Sequence, residues 1–182
     1  QKEAYIGTIA HLDVVPAGNG WNTDPYDMVV KDGYLMGRGV VDNKGPLILT
    51  YYMGKFFKDL GNPLPYSLRM MAGCDEESGM EDVEYYIRHY EEPVFLFTPD
   101  SEFPLCNGQK GCLCGNFTSV RFKDGAILDF KGGMAHNAVA DQACAVIRAS
   151  LEQCPKADRI TVTGVDGGVR IEAAGIGGHA SH

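Results

Sequence analysis

The chain has 182 residues, 45% of them hydrophobic and 22% charged, a balance that supports one or two packed domains and excludes a disordered polyelectrolyte. Its 24 acidic residues against 16 basic ones leave a net charge of −8, and no Lys/Arg cluster offsets it, so nucleic acid is not an expected partner. No apolar run approaches the roughly 20 residues needed to cross a bilayer and no signal-peptide pattern opens the chain, so no membrane partner is expected either, although the chain does not begin with Met and a lost leader stays open.

In chain order, Tyr5 to Ala10 ("YIGTIA") is a short β-type run that stops at His11-Leu-Asp13. Residues Pro16 to Asp27 are rich in Gly, Pro, Asn and Asp and predict a loop, in which Trp21 and Tyr26 are expected to cover the core. In "MVVKDGYLMG" the Asp32-Gly33 pair between two apolar strings predicts a hairpin. After "GRGVVDNKGP" the stretch Leu47 to Leu60 is long and apolar enough for a helix, with Pro46 suited to its first turn. Leu68 to Ala72 predicts a buried strand, Ser78-x-x-Glu81 fits a capping box opening the helix "EDVEYYIRHY", and "VFLFT" (Val94 to Thr98) predicts a second buried strand ending at Pro99-Asp100.

Strand, helix, strand, helix, strand is the signature of an α/β domain with a mixed, largely parallel sheet flanked by helices, here assigned to residues 1–113. From about Cys114 the texture changes. "GNFTSVRFKDGAILDFKGG" is β-like with an Asp124-Gly125 turn, Ala138 to Gln153 has helical apolar spacing, and "RITVTGVDGGVRIEAAG" predicts a hairpin about Asp166-Gly167. Residues 114–182 are therefore expected to be the first part of an α+β domain that continues beyond this segment. The six cysteines, Cys74, Cys106, Cys112, Cys114, Cys144 and Cys154, lack Cys-x-x-Cys spacing, which argues against a zinc ribbon or thioredoxin motif. They are expected to be reduced and mostly buried in a cytoplasmic protein, and the sequon Asn116-Phe-Thr118 to be a chance match.

Ligands of parallel sheets sit beyond the carboxyl ends of the strands, and His11, Asp13, Glu76, Glu77 and Asp100 all follow a predicted strand end. Each has an ordinary explanation by itself. Asp42 could cap the helix that follows it, and Glu76 and Glu77 could be an acidic helical turn. Gathered together, an imidazole and several carboxylates would raise one another's proton affinity unless a cation lay between them. Imidazole and carboxylate without thiolate suit zinc, manganese or cobalt. The surplus of acids suggests two divalent metal ions, about 3.5–4 Å apart, sharing a carboxylate and a water. Such a site also needs a base that is not a ligand, and the adjacent Glu76 and Glu77 can divide those tasks. Gly37-x-Gly39 lacks the third glycine of a dinucleotide loop and is expected to let the backbone approach the metal site.

These motifs, His11-Leu-Asp13, "GRGVVDNKGP" around Asp42, "DEESG" around Glu76 and Glu77, and "TPDSEFP" around Asp100, resemble the M20 metallopeptidase family and, within it, the PepV-like (Xaa-His or carnosinase-type) dipeptidases. The intervals of 31 residues from His11 to Asp42, 34 from Asp42 to Glu76 and 23 from Glu77 to Asp100 match as well. The resemblance implies hydrolysis of dipeptides or short peptides through a metal-bridging water, with two divalent ions, zinc first among them. It implies His11 and Asp100 as ligands of different ions, Asp42 as the bridge, Glu77 as a further ligand, Glu76 as general base and Asp13 as the carboxylate fixing the His11 tautomer. In the second domain, "FKGGMAHNAVAD" implies that Asn137 helps hold the substrate's terminal carboxylate, and "GIGGHAS" that His179 stabilises the oxyanion. Members of the family also supply a late metal-binding histidine and a substrate-binding arginine that this segment lacks. His89, His136 and His182 are not expected to replace that histidine, so the segment alone is expected to be inactive. Two alternatives stay open: a deacylase acting on N-acyl amino acids with the same metal centre, and a non-catalytic metal- or peptide-binding relative.

Overall fold

The computed structural model describes residues 4–61, 63–111, 113–118, 120, 125–154 and 156–179, and for His179 the backbone alone. The chain divides into two compact units, Gln1–Val14 with Asn22–Gln109, and Val15–Trp21 with Lys110–His182. The segment 15–21, which follows the His11-x-Asp13 motif, thus groups with the later part of the chain.

In the first unit β1 (Tyr5–His11) is the centre of a three-stranded sheet, flanked by β4 (Ser67–Gly73) and β5 (Phe95–Phe97), and both pairings are parallel. Between β1 and β4 the chain makes the hairpin β2 (Val29–Lys31) and β3 (Tyr34–Met36), an irregular helical turn at Val40–Lys44, and helix α1 (Gly45–Asp59). Helix α2 (Glu81–His89) joins β4 to β5. This is the α/β order expected from the sequence. The Asp32-Gly33 turn has positive φ at both residues, 53° and 80°, the conformation that a two-residue hairpin loop demands. Pro46 lies in the first turn of α1, where its missing N–H costs no hydrogen bond.

Burial concentrates on β1, where Tyr5, Thr8, Ala10 and His11 are each no more than 4% exposed. The expected burial of β4 and β5 is not observed: Met70, Phe95 and Leu96 are exposed. They occupy the two edges of the sheet, where a strand has a neighbour on one side only. Helix α2 is fastened to the sheet through Tyr86, whose hydroxyl receives the Arg69 Nη1 hydrogen bond at 2.6 Å and lies 3.1 Å from the Tyr5 hydroxyl. The Tyr5 hydroxyl also donates to the Glu91 carbonyl, and the Arg69 guanidinium lies 4.0 Å from the centre of the Tyr5 ring.

In the second unit a four-stranded antiparallel sheet runs in the order β6 (Ile127–Gly132), β8 (Gln142–Ile147), β10 (Gly168–Ala174), β9 (Ile160–Val165). A two-stranded ladder pairs β7 (Ala138–Val139) with β11 (Gly178–His179). The helix expected over Ala138–Gln153 does not form. Residues 142–147 are instead an inner strand between β6 and β10, and only Leu151–Gln153 coils, as a short 3-10 turn capped by Ser150. The run "ACAVI" is apolar without interruption, and such a run suits an inner strand as well as a buried helix; sheet pairing on both sides decides between them. The hairpin about Asp166-Gly167 is present, with Gly167 at φ 79°. The Asp124-Gly125 turn lies outside the described residues.

Among the described cysteines all are free thiols, but none is buried: Cys74, Cys106 and Cys114 are exposed, and Cys144 and Cys154 half-buried. The expected burial of the thiols fails because these residues sit at a strand end, in irregular segments and in the open sheet of the second unit. Trp21 is half-buried and donates from Nε1 to the Ala17 carbonyl at 2.8 Å, whereas Tyr26 is exposed and does not cover the core as expected. Among the described residues, no helix is long and apolar enough to cross a membrane.

Candidate metal centre

Because β1, β4 and β5 are parallel, their carboxyl ends lie on one edge of the sheet. His11 is the last residue of β1, Glu76 follows the end of β4 at Gly73, and Asp100 follows the end of β5 at Phe97. Asp42 comes to the same edge from the turn before α1. Around His11 Nε2 the structure collects Asp42 Oδ1 at 3.0 Å, Asp100 Oδ2 at 3.5 Å and Glu76 Oε2 at 4.0 Å. Two groups of potential ligands result, His11 with Asp42 and Asp100, and His11 with Glu76 and Glu77, their donor atoms within 4.8 Å of one another.

The other imidazole nitrogen settles the ring. His11 Nδ1 lies 2.9 Å from the Asp13 backbone carbonyl, which can only accept, so Nδ1 carries the proton and Nε2 faces the acids. The Asp13 carboxylate stands farther off, with Oδ1 3.3 Å from Nδ1. The Asp13 carbonyl therefore makes the hydrogen bond that fixes the tautomer, and the Asp13 carboxylate expected in that role lies near the same nitrogen. Oδ2 of that carboxylate instead accepts the Glu77 N–H at 3.0 Å, tying the β1 end to the Glu76-Glu77 turn.

Two turns deliver the acids. At 40–44 the chain departs from helical geometry at Asp42 (φ −119°, ψ 94°), which turns its carboxylate to His11 and away from any capping of α1. Gly39 permits the approach, since its φ is 87° and a Cβ there would meet Val14 Cγ1 at 2.9 Å. Asn43 is fully buried and donates from Nδ2 to Asp100 Oδ1 at 2.6 Å. At 73–82 the backbone is held by acids of the loop itself. Asp82 Oδ2 accepts the Cys74 N–H at 2.6 Å, and Asp75 Oδ2 accepts the Glu81 N–H at 3.0 Å. The expected capping box is absent: Met80, in the left-handed region, precedes α2 with no side-chain cap, and the Ser78 N–H donates to the Asp75 carbonyl. Asp75 reaches the start of α2 in its stead.

Burial pushes the His11 pKa down, but the Asp13 carbonyl, Asp100, Asp42 and Glu76 together outweigh it, and the net shift is upward. Glu76 is also raised, by burial first; His11 opposes the rise, and Asp100, Glu77 and Asp42 add to it. Both shifts follow from gathering an imidazole and several carboxylates in one place. One imidazole with carboxylates and no thiolate fits zinc, manganese or cobalt. Ligand atoms on one tetrahedral ion stand about 3.3–3.6 Å apart, close to the spacing of His11 Nε2 from Asp42 and Asp100. The geometry therefore groups His11 with Asp100, where the family resemblance assigns them to different ions.

Asn137 and His179 fall in the second unit. His179 pairs with Ala138 in the β7–β11 ladder, one residue beyond the half-buried Asn137, and the His179 side chain lies outside the described residues. His89 is exposed and stacks on Tyr85 in α2, and His136, in the second unit, is exposed. Sequence reasoning passed over Asn43 and Asp82. Position beside Asp42 was the one available signal for Asn43, and Asp82 gave none beyond its place in an acidic first turn.

A family model described as Peptidase family M20/M25/M40 matches residues 7–173. The chain is 38% identical over 152 residues to the protein named "Putative dipeptidase YtjP" of Bacillus subtilis, covering 81% of this chain and 33% of that protein. It is 38% identical over 144 residues to "Putative dipeptidase SH1171" of Staphylococcus haemolyticus, covering 76% of this chain and 31% of that protein. The chain thus spans about a third of the length of these relatives. With a family match over nearly all of its residues and the expected acids gathered at one sheet edge, the chain belongs to Peptidase family M20/M25/M40.

Proposed function

We propose that the protein to which this chain belongs is a metal-dependent peptidase that hydrolyses dipeptides or short peptides. The observation that carries the reading is the convergence of His11, Asp42, Asp100, Glu76 and Glu77 on one edge of a parallel sheet, in a chain whose relatives are named as dipeptidases. His11, Asp42 and Asp100 would hold one divalent ion, and Asp42 with Glu77 would contribute to a second, with zinc the first choice on donor chemistry. When bound, such ions supply Lewis-acid polarisation of a carbonyl and acidification of water.

The chain's own residues supply the rest. His11 offers Nε2 because the Asp13 carbonyl holds the proton at Nδ1. Glu76, half-buried and with a raised pKa, takes a proton from the attacking water and returns it to the departing amine. Asp13 keeps the Glu77 backbone in register with the β1 end. His179, in the short β7–β11 ladder of the second unit, and Asn137, the residue before that ladder, are proposed to stabilise the oxyanion and to orient the substrate's carboxylate respectively.

The test is a substrate panel on the full-length protein, dipeptides against N-acyl amino acids, after chelation and after return of Zn2+, Mn2+ or Co2+. Metal-restored cleavage of dipeptides is the expected result. Cleavage confined to acylated amino acids would transfer the metal centre to a deacylase, and bound metal without hydrolysis of either class would make the protein a binder.

A further inference from the structure

We infer that Asn43 is the positioning residue that decides which oxygen of Asp100 faces the metal ligands; the inference rests on the metal-centre reading above. Asn43 is 0% exposed, and its Nδ2 donates to Asp100 Oδ1 at 2.6 Å. The opposite oxygen, Oδ2, lies 3.5 Å from His11 Nε2. One carboxylate oxygen is therefore engaged by the amide and the other is turned to the imidazole.

The amide orientation follows from its partner. Rotating the amide end over end would set the Asn43 carbonyl oxygen against a carboxylate oxygen at hydrogen-bond distance, and neither can donate. The Asn43 Oδ1 is itself buried with no hydrogen-bond partner among the described residues. A buried acceptor left unsatisfied costs stability, which a residue needed only to fill space would avoid, since an apolar side chain of similar size fills the same volume. The donor is what such a side chain would lack. Asn43 also follows Asp42 directly, so a single turn delivers one ligand carboxylate to His11 and holds the second in place from behind.

The deciding measurement is Zn2+ affinity of the full-length protein, read by competition with a chromophoric chelator, for wild type, Asn43→Leu, Asp100→Ala and the double variant. Loss of an outer partner of a metal ligand weakens metal binding by about 10–100-fold, and that loss is expected for Asn43→Leu. In the Asp100→Ala background the same substitution should change affinity less than about twofold, because the two residues act as one unit. Asn43→Ser, read in the same cycle, replaces Asn43→Leu if the latter does not fold, and the same non-additivity is expected of it. Affinity of the Asn43 variant within about twofold of wild type, or losses that multiply across the cycle, would overturn the inference while leaving the metal centre standing. Wild-type protein that binds no Zn2+, Mn2+ or Co2+ would overturn the metal centre and this inference with it.

Discussion

The two turns that carry the acids are built on opposite plans. At 40–44 the working contact is long-range: Asn43, fully buried, reaches Asp100 across 57 positions of sequence. At 73–82 the contacts are mostly local, Asp82 to the Cys74 N–H and Asp75 to the Glu81 N–H. The first turn fixes side chains, while the second fixes a backbone from which Glu76 and Glu77 project. A fixed backbone lets adjacent side chains serve different purposes, and that difference can be broken at Glu76 and Glu77 separately.

Glu76→Gln carries the largest expected effect. It would remove the proposed base and keep the shape, so the proposed dipeptide turnover of the full-length protein should fall by about 10²–10⁴-fold in kcat, with zinc content measured by elemental analysis unchanged. Glu77→Gln should do the reverse at the metal. Loss of a direct ligand is expected to exceed the loss from an outer partner, so zinc affinity should drop by about 100-fold or more. Equal zinc loss in both variants would erase the division of labour between the neighbours.

The same contrast explains what could be read from the sequence. Strand ends, the Asp32-Gly33 hairpin, α1 with Pro46, and the positions of His11, Asp42, Glu76, Glu77 and Asp100 were legible because each rests on local pattern or motif spacing. Asn43 was not, since its partner Asp100 is near only after β5 pairs with β1. The start of α2 at Glu81 was legible, but its cap was misassigned for a subtler reason. Ser78 and Asp75 both offer an oxygen to the helix N-terminus, and the left-handed Met80 lengthens the loop so that Asp75 makes the bond. The strand at 142–147 was misassigned because an apolar run carries no period, and its neighbours β6 and β10 lie on either side of it in sequence.

Protons sharpen the comparison further, since His11 belongs to the long-range cluster and Glu76 to the loop. Both have pKa values above their ordinary 6.5 and 4.5 in the metal-free protein. A group whose folded pKa is raised contributes stability in full below its unfolded pKa and loses it as pH rises through the folded value. The metal-free protein should therefore lose stability with rising pH, first above pH 4.5 as Glu76 ionises and then above pH 6.5 as His11 gives up its proton. Saturating Zn2+ should flatten the decline because the cation takes over the role of the protons. Urea midpoints from pH 5 to pH 8, with and without zinc, measure it; a metal-free midpoint that climbs across this range would contradict the shifts.

The smallest expected effect isolates the backbone plan of the second turn. Asp75→Ala removes the oxygen that accepts the Glu81 N–H, and Asp75 belongs to neither ligand group around His11. The carbonyl of residue 75, which receives the Ser78, Gly79 and Met80 N–H groups, is untouched by the substitution, so the loop should keep its course. Loss of a carboxylate that satisfies a helix N-terminus costs about 0.5–2 kcal/mol, and urea denaturation should register a loss in that range. Zinc affinity should stay near wild type, because Asp13 still holds the Glu77 N–H from the β1 side. A large fall in zinc affinity for Asp75→Ala would mean that the loop depends on its helix anchor to present Glu77, and that the grip of Asp13 is not enough by itself.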